Sequence, residues 1–148
     1  MLNVHPLSLE EQAQHQANVL VEIDHAELTD GDASQVIALF PVAAKQGVRL
    51  TKAVLKEVFD SSTDTSIIST TITIGDGGSA TRFLGSTELN PSGTEVFLKG
   101  GALSAPDGTY VYTADDTVDA TFACTAGKLL SDHDSGRLLL YFQVDDAR

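Results

Sequence analysis

From Ile67 to Leu84 the chain reads Ile-Ile-Ser-Thr-Thr-Ile-Thr-Ile-Gly-Asp-Gly-Gly-Ser-Ala-Thr-Arg-Phe-Leu. In an extended chain Ile68, Thr70, Ile72 and Ile74 share one face, while Ile67, Ser69, Thr71 and Thr73 take the other. Almost every residue before the glycines is β-branched. Such side chains lose rotamer freedom in a helix and fit the pleated surface of a sheet. The run stops at Gly75-Asp76-Gly77-Gly78, where glycine permits positive φ and a tight reversal. This stretch predicts the central strand of an all-β domain.

At 148 residues the chain suits one domain, which at this size buries roughly 70% of its unfolded surface without a disulfide or metal. A lone cysteine, Cys124, excludes an intrachain disulfide. The opening Met-Leu-Asn-Val-His-Pro-Leu-Ser-Leu-Glu-Glu lacks a basic segment followed by an apolar one, so synthesis in the cytoplasm without a secretory signal is expected. No apolar run approaches the ~18 residues of a membrane span. The formal charge is −12. A field of that sign repels phosphate backbones, and no Lys/Arg stripe exists to release counterions, so neither nucleic acid nor membrane is an expected partner.

Two regions follow. Residues 1–17 fit a short helix, an extended arm or a frayed terminus, because Ser8-Leu9-Glu10-Glu11 has the pattern of a capping box but little apolar face follows it. If that arm orders on a neighbouring subunit, Val4, Leu7 and Leu9 are its anchors. Residues 18–148 carry the β body. Val19, Val21 and Ile23 alternate with polar residues, and Asp30-Gly31-Asp32 closes that strand. Gln35 to Val42 is apolar, with Pro41 marking an edge or an end. Residues 48–60 fit a strand, although Val54, Leu55, Val58 and Phe59 would also form a helical stripe; with 66–74 they predict an antiparallel hairpin. Further strands are expected at 81–84, with 85–90 a connection, then at 94–99 after Pro91-Ser92-Gly93, and from Tyr110. Thr117–Cys124 and Arg137–Val144 follow, the first with Val118, Ala120, Phe122 and Cys124 on one face. About eight such strands, separated by turns such as Gly100-Gly101 and Pro106-Asp107-Gly108, make a single-domain β-sandwich or jelly roll.

Chemistry is sparse. His5, His15, His25 and His133 are scattered without metal-ligand spacing and read as surface residues. Cys124 lies on an apolar face with no histidine near it in sequence, a poor setting for a thiolate. Asp132-His133-Asp134-Ser135-Gly136 begins like a calcium loop, but the glycine comes one place early and the twelfth position is not acidic. Asp115, Asp116 and Asp119 could gather with Asp30 and Asp32 at one end of a sandwich, although solvated loop carboxylates explain them as well. The Gly75–Gly78 loop lacks the Lys-Ser/Thr of a phosphate cradle. Neither a catalytic residue nor a cofactor is expected, so an enzyme is the least favoured class.

The segment 72–84, Tyr112-Thr113-Ala114-Asp115-Asp116-Thr117-Val118-Asp119-Ala120, and the end from Ser135-Gly136-Arg137 to Tyr141-Phe142-Gln143-Val144 together resemble small capsid decoration (cement) proteins of tailed bacteriophages. The resemblance covers roughly the C-terminal two thirds and leaves 1–17 outside. It implies a jelly roll or β-sandwich, commonly a homotrimer, seated on the outer capsid surface against the major capsid protein, with no catalytic residues. The rival expectation is a receptor- or carbohydrate-binding β-sandwich module of a phage tail or fibre. A calcium-dependent binding domain stands third.

Overall fold

The computed structural model describes residues 2–90, 96–98 and 109–146. Its strands are β1 (Asn3–Pro6), β2 (Val19–Asp24), β3 (Ser34–Val42), β4 (Gln46–Asp60), β5 (Thr70–Gly75), β6 (Leu84–Glu88), β7 (Val96–Leu98), β8 (Tyr110–Val111), β9 (Asp116–Cys124) and β10 (Ser135–Asp146). One helix, α1 (Leu9–His15), and two 3-10 turns, His25–Glu27 and Leu130–Asp132, complete the described elements. The expected turns at Pro91-Ser92-Gly93, Gly100-Gly101 and Pro106-Asp107-Gly108 lie outside the described residues.

Two antiparallel sheets face each other. One runs β1-β2-β10-β4-β7, with β8 also on β4; the other runs β3-β9-β5-β6. Ile23, Leu55, Leu138 and Phe142 of the first meet Ile37, Ile72, Ile74 and Phe122 of the second in one apolar core. The all-β sandwich is as the sequence predicts. At the second sheet's edge, β3 carries Pro41 where a missing N–H costs no ladder bond.

Strand β10 has no alternation because both its faces are covered. Leu138, Leu140 and Phe142 enter the main core. Leu139 and Tyr141 enter a second cluster with Leu7, Ala17, Leu20 and Val54 on the outer side of the sheet. The same covering explains the ambiguous pattern of β4, where Val54 belongs to the outer cluster and Leu55 to the inner core. Bulges shift the β10–β4 register, one of them around Gly136. Gly136 has φ +138°, and a Cβ there would lie 2.4 Å from the Phe59 ring.

Three expectations about strands need correction. Residues 48–60 and 66–74 are not a hairpin: β4 pairs with β10, β7 and β8, whereas β5 pairs with β9 and β6 in the opposite sheet. Residues 61–69 instead carry the chain across the roughly 10 Å between sheets. Ile68 falls in that crossing and is 75% exposed, so the inward set of β5 is Thr70, Ile72 and Ile74. Thr81 and Arg82 belong to the turn, and the supposed connection after Leu84 is strand β6.

That turn is long because Asp76 gathers it. Its buried carboxylate accepts from the Gly78 and Ser79 amides at 2.9 Å each, from the Arg82 guanidinium, and from the Tyr112 hydroxyl at 2.7 Å. Arg82 in turn lies 3.7 Å from the Tyr110 ring centre. Gly75 is needed for close approach rather than for positive φ, since a Cβ there would lie 2.0 Å from the Ser79 carbonyl oxygen. At the other end of β5, Thr70 Oγ1 lies 2.7 Å from His133 Nε2, both residues buried. The Leu130 carbonyl lies 2.9 Å from His133 Nδ1 and only accepts, so in the neutral ring Nδ1 holds the proton and Nε2 accepts from Thr70. His133 is therefore a core residue, not a surface one. Its two polar contacts satisfy both ring nitrogens, which is what lets an imidazole be buried.

Burial opposes ionisation of Asp76, but hydrogen bonds from Arg82, Tyr112, Ser79 and Gly78 outweigh it and hold the carboxyl below its usual range. A depressed carboxyl contributes stability that is full above the unfolded value of about 3.9 and lost as pH falls through the folded one. Asp76→Asn is expected to cost about 3 kcal/mol at neutral pH by leaving Arg82 without its counter-charge. In urea titrations the gap from the native chain should close below about pH 4; a gap unchanged at pH 2 to 3 contradicts this assignment. Gly136→Ala is expected to cost about 1–3 kcal/mol through the Phe59 clash and the left-handed backbone. A melting curve superimposable on the native one would contradict that.

Candidate functional site

The N-terminal segment was the sequence's candidate for partner binding, and the structure places it on its own body. Ser8 and Glu11 form the capping box, with Glu11 N–H to Ser8 Oγ at 3.2 Å and Ser8 N–H to Glu11 Oε1 at 3.1 Å. Before it, β1 pairs along β2 from Asn3↔Glu22 to Pro6↔Val19. After it, Asn18 holds Val144 through both halves of its amide, at 2.7 and 2.8 Å. None of the α1 residues is buried; the segment is anchored by Leu7 before the helix and Ala17 after it.

The three proposed anchors therefore separate. Leu7 is 4% exposed and packs with Ala17, Leu20, Val54, Leu139 and Tyr141 of its own chain, so it is not available to a neighbour. That is a correction. An apolar residue just before a helix that lies flat on a sheet fills the gap beneath it, and sequence spacing does not distinguish that gap from a partner's groove. Val4 and Leu9 are exposed at 38% and 84%. His15 stacks on Tyr141 with centroids 4.4 Å apart, and its Nδ1 lies 2.8 Å from Lys52 Nζ. Burial first, and the Lys52 charge second, push this imidazole below its usual pKa, as fits a nitrogen that accepts from an ammonium.

A trough runs along the side of the sandwich where β1 and β3 end their sheets. Val4, His5, Pro6, Phe40, Pro41 and Val144 line one part, of about 270 Å³. Pro41 and Gln46 continue into a second part of about 360 Å³, bordered by Asp115 and Asp116. Sequence reasoning missed this trough. Its one signal was Pro41, which marks an edge but not what lies beside it.

The five carboxylates considered for calcium do not gather. Asp30 and Asp32 precede the β3 end paired with Ala123, whereas Asp115 and Asp116 sit where Val42 pairs with Asp116. The length of β9 separates them, on the order of 25 Å. Asp115 accepts from the Ala44 amide and Asp116 from the Gly77 and Thr117 amides, as loop-tying groups. Asp119 has its carboxyl pushed upward by burial, then by Asp116 and Asp76. Among the described residues no three His, Cys, Asp or Glu side chains converge as a metal site. Burial, with Asp132 and Asp64 adding to it, raises the Cys124 thiol, which leaves it a weak nucleophile.

Compared with protein-family models and with curated proteins, the chain matches none. Among solved structures, a chain of the cyanophage Pam1 capsid asymmetric unit is similar to it, with TM-score 0.51 and 14% identity over 95% of this chain and 84% of that one. The likeness is one of fold.

Leu7→Ala is expected to cost about 2–5 kcal/mol, because it opens a cavity above Leu139 and Tyr141. Leu9→Ala should stay within about 0.5 kcal/mol. Paired denaturation curves check this, and equal costs for the two would contradict the placement.

Proposed function

We propose that this chain is a structural protein of a phage virion: a decoration (cement) protein on the outer capsid surface, bound to the major capsid protein and to itself as a homotrimer. The observation that carries this reading is the shared architecture with a chain of the Pam1 capsid asymmetric unit across 95% of the sequence. Its work is to cover area, not to run a reaction. A protein that binds only the assembled shell stabilises it by mass action, in proportion to the logarithm of its concentration over Kd.

Physical features support the reading. The sandwich needs no disulfide, and the buried Asp76, Thr70 and His133 are tied to partners within the chain. Six large apolar side chains stand exposed among the described residues: Val4, Leu9, Val36, Ile68, Val111 and Leu129. The −12 charge keeps the chain from packaged nucleic acid and suits an exterior seat. No described helix is long and apolar enough to cross a membrane. The rival sugar-binding reading needs exposed aromatic faces. Phe59, Phe83, Phe122 and Phe142 are instead wholly interior, and Tyr112 and Tyr141 nearly so.

Mixed with shells assembled from the major capsid protein of its own phage, the protein is expected to co-sediment saturably and to raise the shells' melting temperature. Light scattering of the free protein should give the mass of a trimer. Absence from the shell pellet at micromolar concentration would overturn the capsid role; a monomer in solution would remove only the self-association.

A further inference from the structure

Strand β3 is the long open edge of the second sheet, paired with β9 on one side and with no described strand on the other. Cys124 N–H donates to the Ala33 carbonyl at 2.8 Å, which makes Ala33 and Cys124 a hydrogen-bonded pair of the ladder. By alternation, Gln35 and Ile37 turn their backbone groups toward Phe122 and Ala120. Ser34, Val36 and Ala38 turn theirs outward. Three N–H and three C=O groups thus face away from the sheet along one straight stretch, which ends at the bulge between Ala38 and Phe40.

Edges of this kind are normally blunted by charge, proline or shortness. The first sheet does this: β1 spans only Asn3–Pro6, and Pro6 removes a donor. On β3, Pro41 comes after the bulge and does nothing for Ser34–Ala38. No charged residue occurs from Ala33 to Ala44, in a chain that carries 21 acidic side chains. Val36, at the centre of the edge, is 63% exposed.

Charge selects the occupant. Carboxylates stand at both ends of the neutral edge, Asp30 and Asp32 before it and Asp115 and Asp116 beyond it. A second copy pairing antiparallel about Val36 would bring its own Asp30 and Asp32 toward Asp115 and Asp116, setting like charges against each other at this edge. An extended segment with a β-branched centre and basic ends meets the opposite situation. We infer that the Ser34–Ala38 edge binds by strand addition an extended segment of a partner protein, β-branched or apolar at its centre and bearing Lys or Arg at its ends. Past the bulge, the apolar trough beside Phe40 and Pro41 gives that segment room to continue. Assigning the segment to a shell protein rests on the virion reading; strand addition itself does not.

The probe is the peptide Lys-Lys-Thr-Val-Thr-Val-Thr-Lys-Lys, with a version carrying Glu for every Lys as control, added to the full chain and followed by amide hydrogen exchange. The lysine peptide is expected to slow exchange at Val36 and Ala38 by about tenfold or more, while the Glu peptide leaves them fast. Val36→Pro removes an amide that makes no bond within the sheet, so it should keep the native melting temperature and lose both peptide and shell binding. Unslowed exchange at Val36 and Ala38, equal protection by the Glu peptide, or undiminished binding by a folded Val36→Pro chain would each overturn the proposal. The exchange measurement on the native chain stands whether or not the variant folds. Protection by the peptide with no binding to shells supports the edge and sinks the capsid role. Shell binding that survives Val36→Pro does the reverse.

Discussion

Strand β5 is held at both ends by buried polar contacts that cross between the sheets. At its start Thr70 meets His133, which leads into β10 of the opposite sheet. At its end Asp76 meets Tyr112, which follows β8 of the opposite sheet, and Arg82 of its own turn. Apolar packing alone is indifferent to small slides of one sheet over the other. Asp76 is not: Gly78, Ser79 and Arg82 belong to its own turn, but the Tyr112 hydroxyl comes from the opposite side and would be lost in a slide. These two contacts resist such a slide, and the apolar core fills the space between the sheets.

The second constraint is the doubly covered β10. With β9 and β3 on one side and the N-terminal segment on the other, the first sheet has no free face along its middle. What remains for a partner is the perimeter: the β3 edge, the trough between β1 and β3, and isolated apolar side chains such as Ile68. A body of this kind suits contact made at its margins.

Patterns of local origin were legible in the sequence. The Ser8–Glu11 capping box, the alternation of β9 and the edge position marked by Pro41 all follow from residues within a few positions of one another. What depended on distant partners was not legible. Adjacent strands β4 and β5 both read as good hairpin partners, and nothing local records that β10 takes β4. Asp76 looked like turn chemistry because Tyr112, which makes it a core residue, lies 36 positions away. His133 was assigned to the surface by residue type and Leu7 to a neighbouring subunit by its place near a terminus, and each proved to be buried within its own chain. The neutral run of Ala33–Ala44 was visible as sequence, but its meaning depended on β3 ending a sheet.

A density map of shells of the phage to which we assign this protein, assembled with it and resolved well enough to trace strands, measures the proposed role most directly. The sandwich should lie on the outer surface, with a basic-flanked strand of the shell protein continuing the sheet beyond β3. Shells bare of the protein, or the protein found at the tail instead, would contradict it.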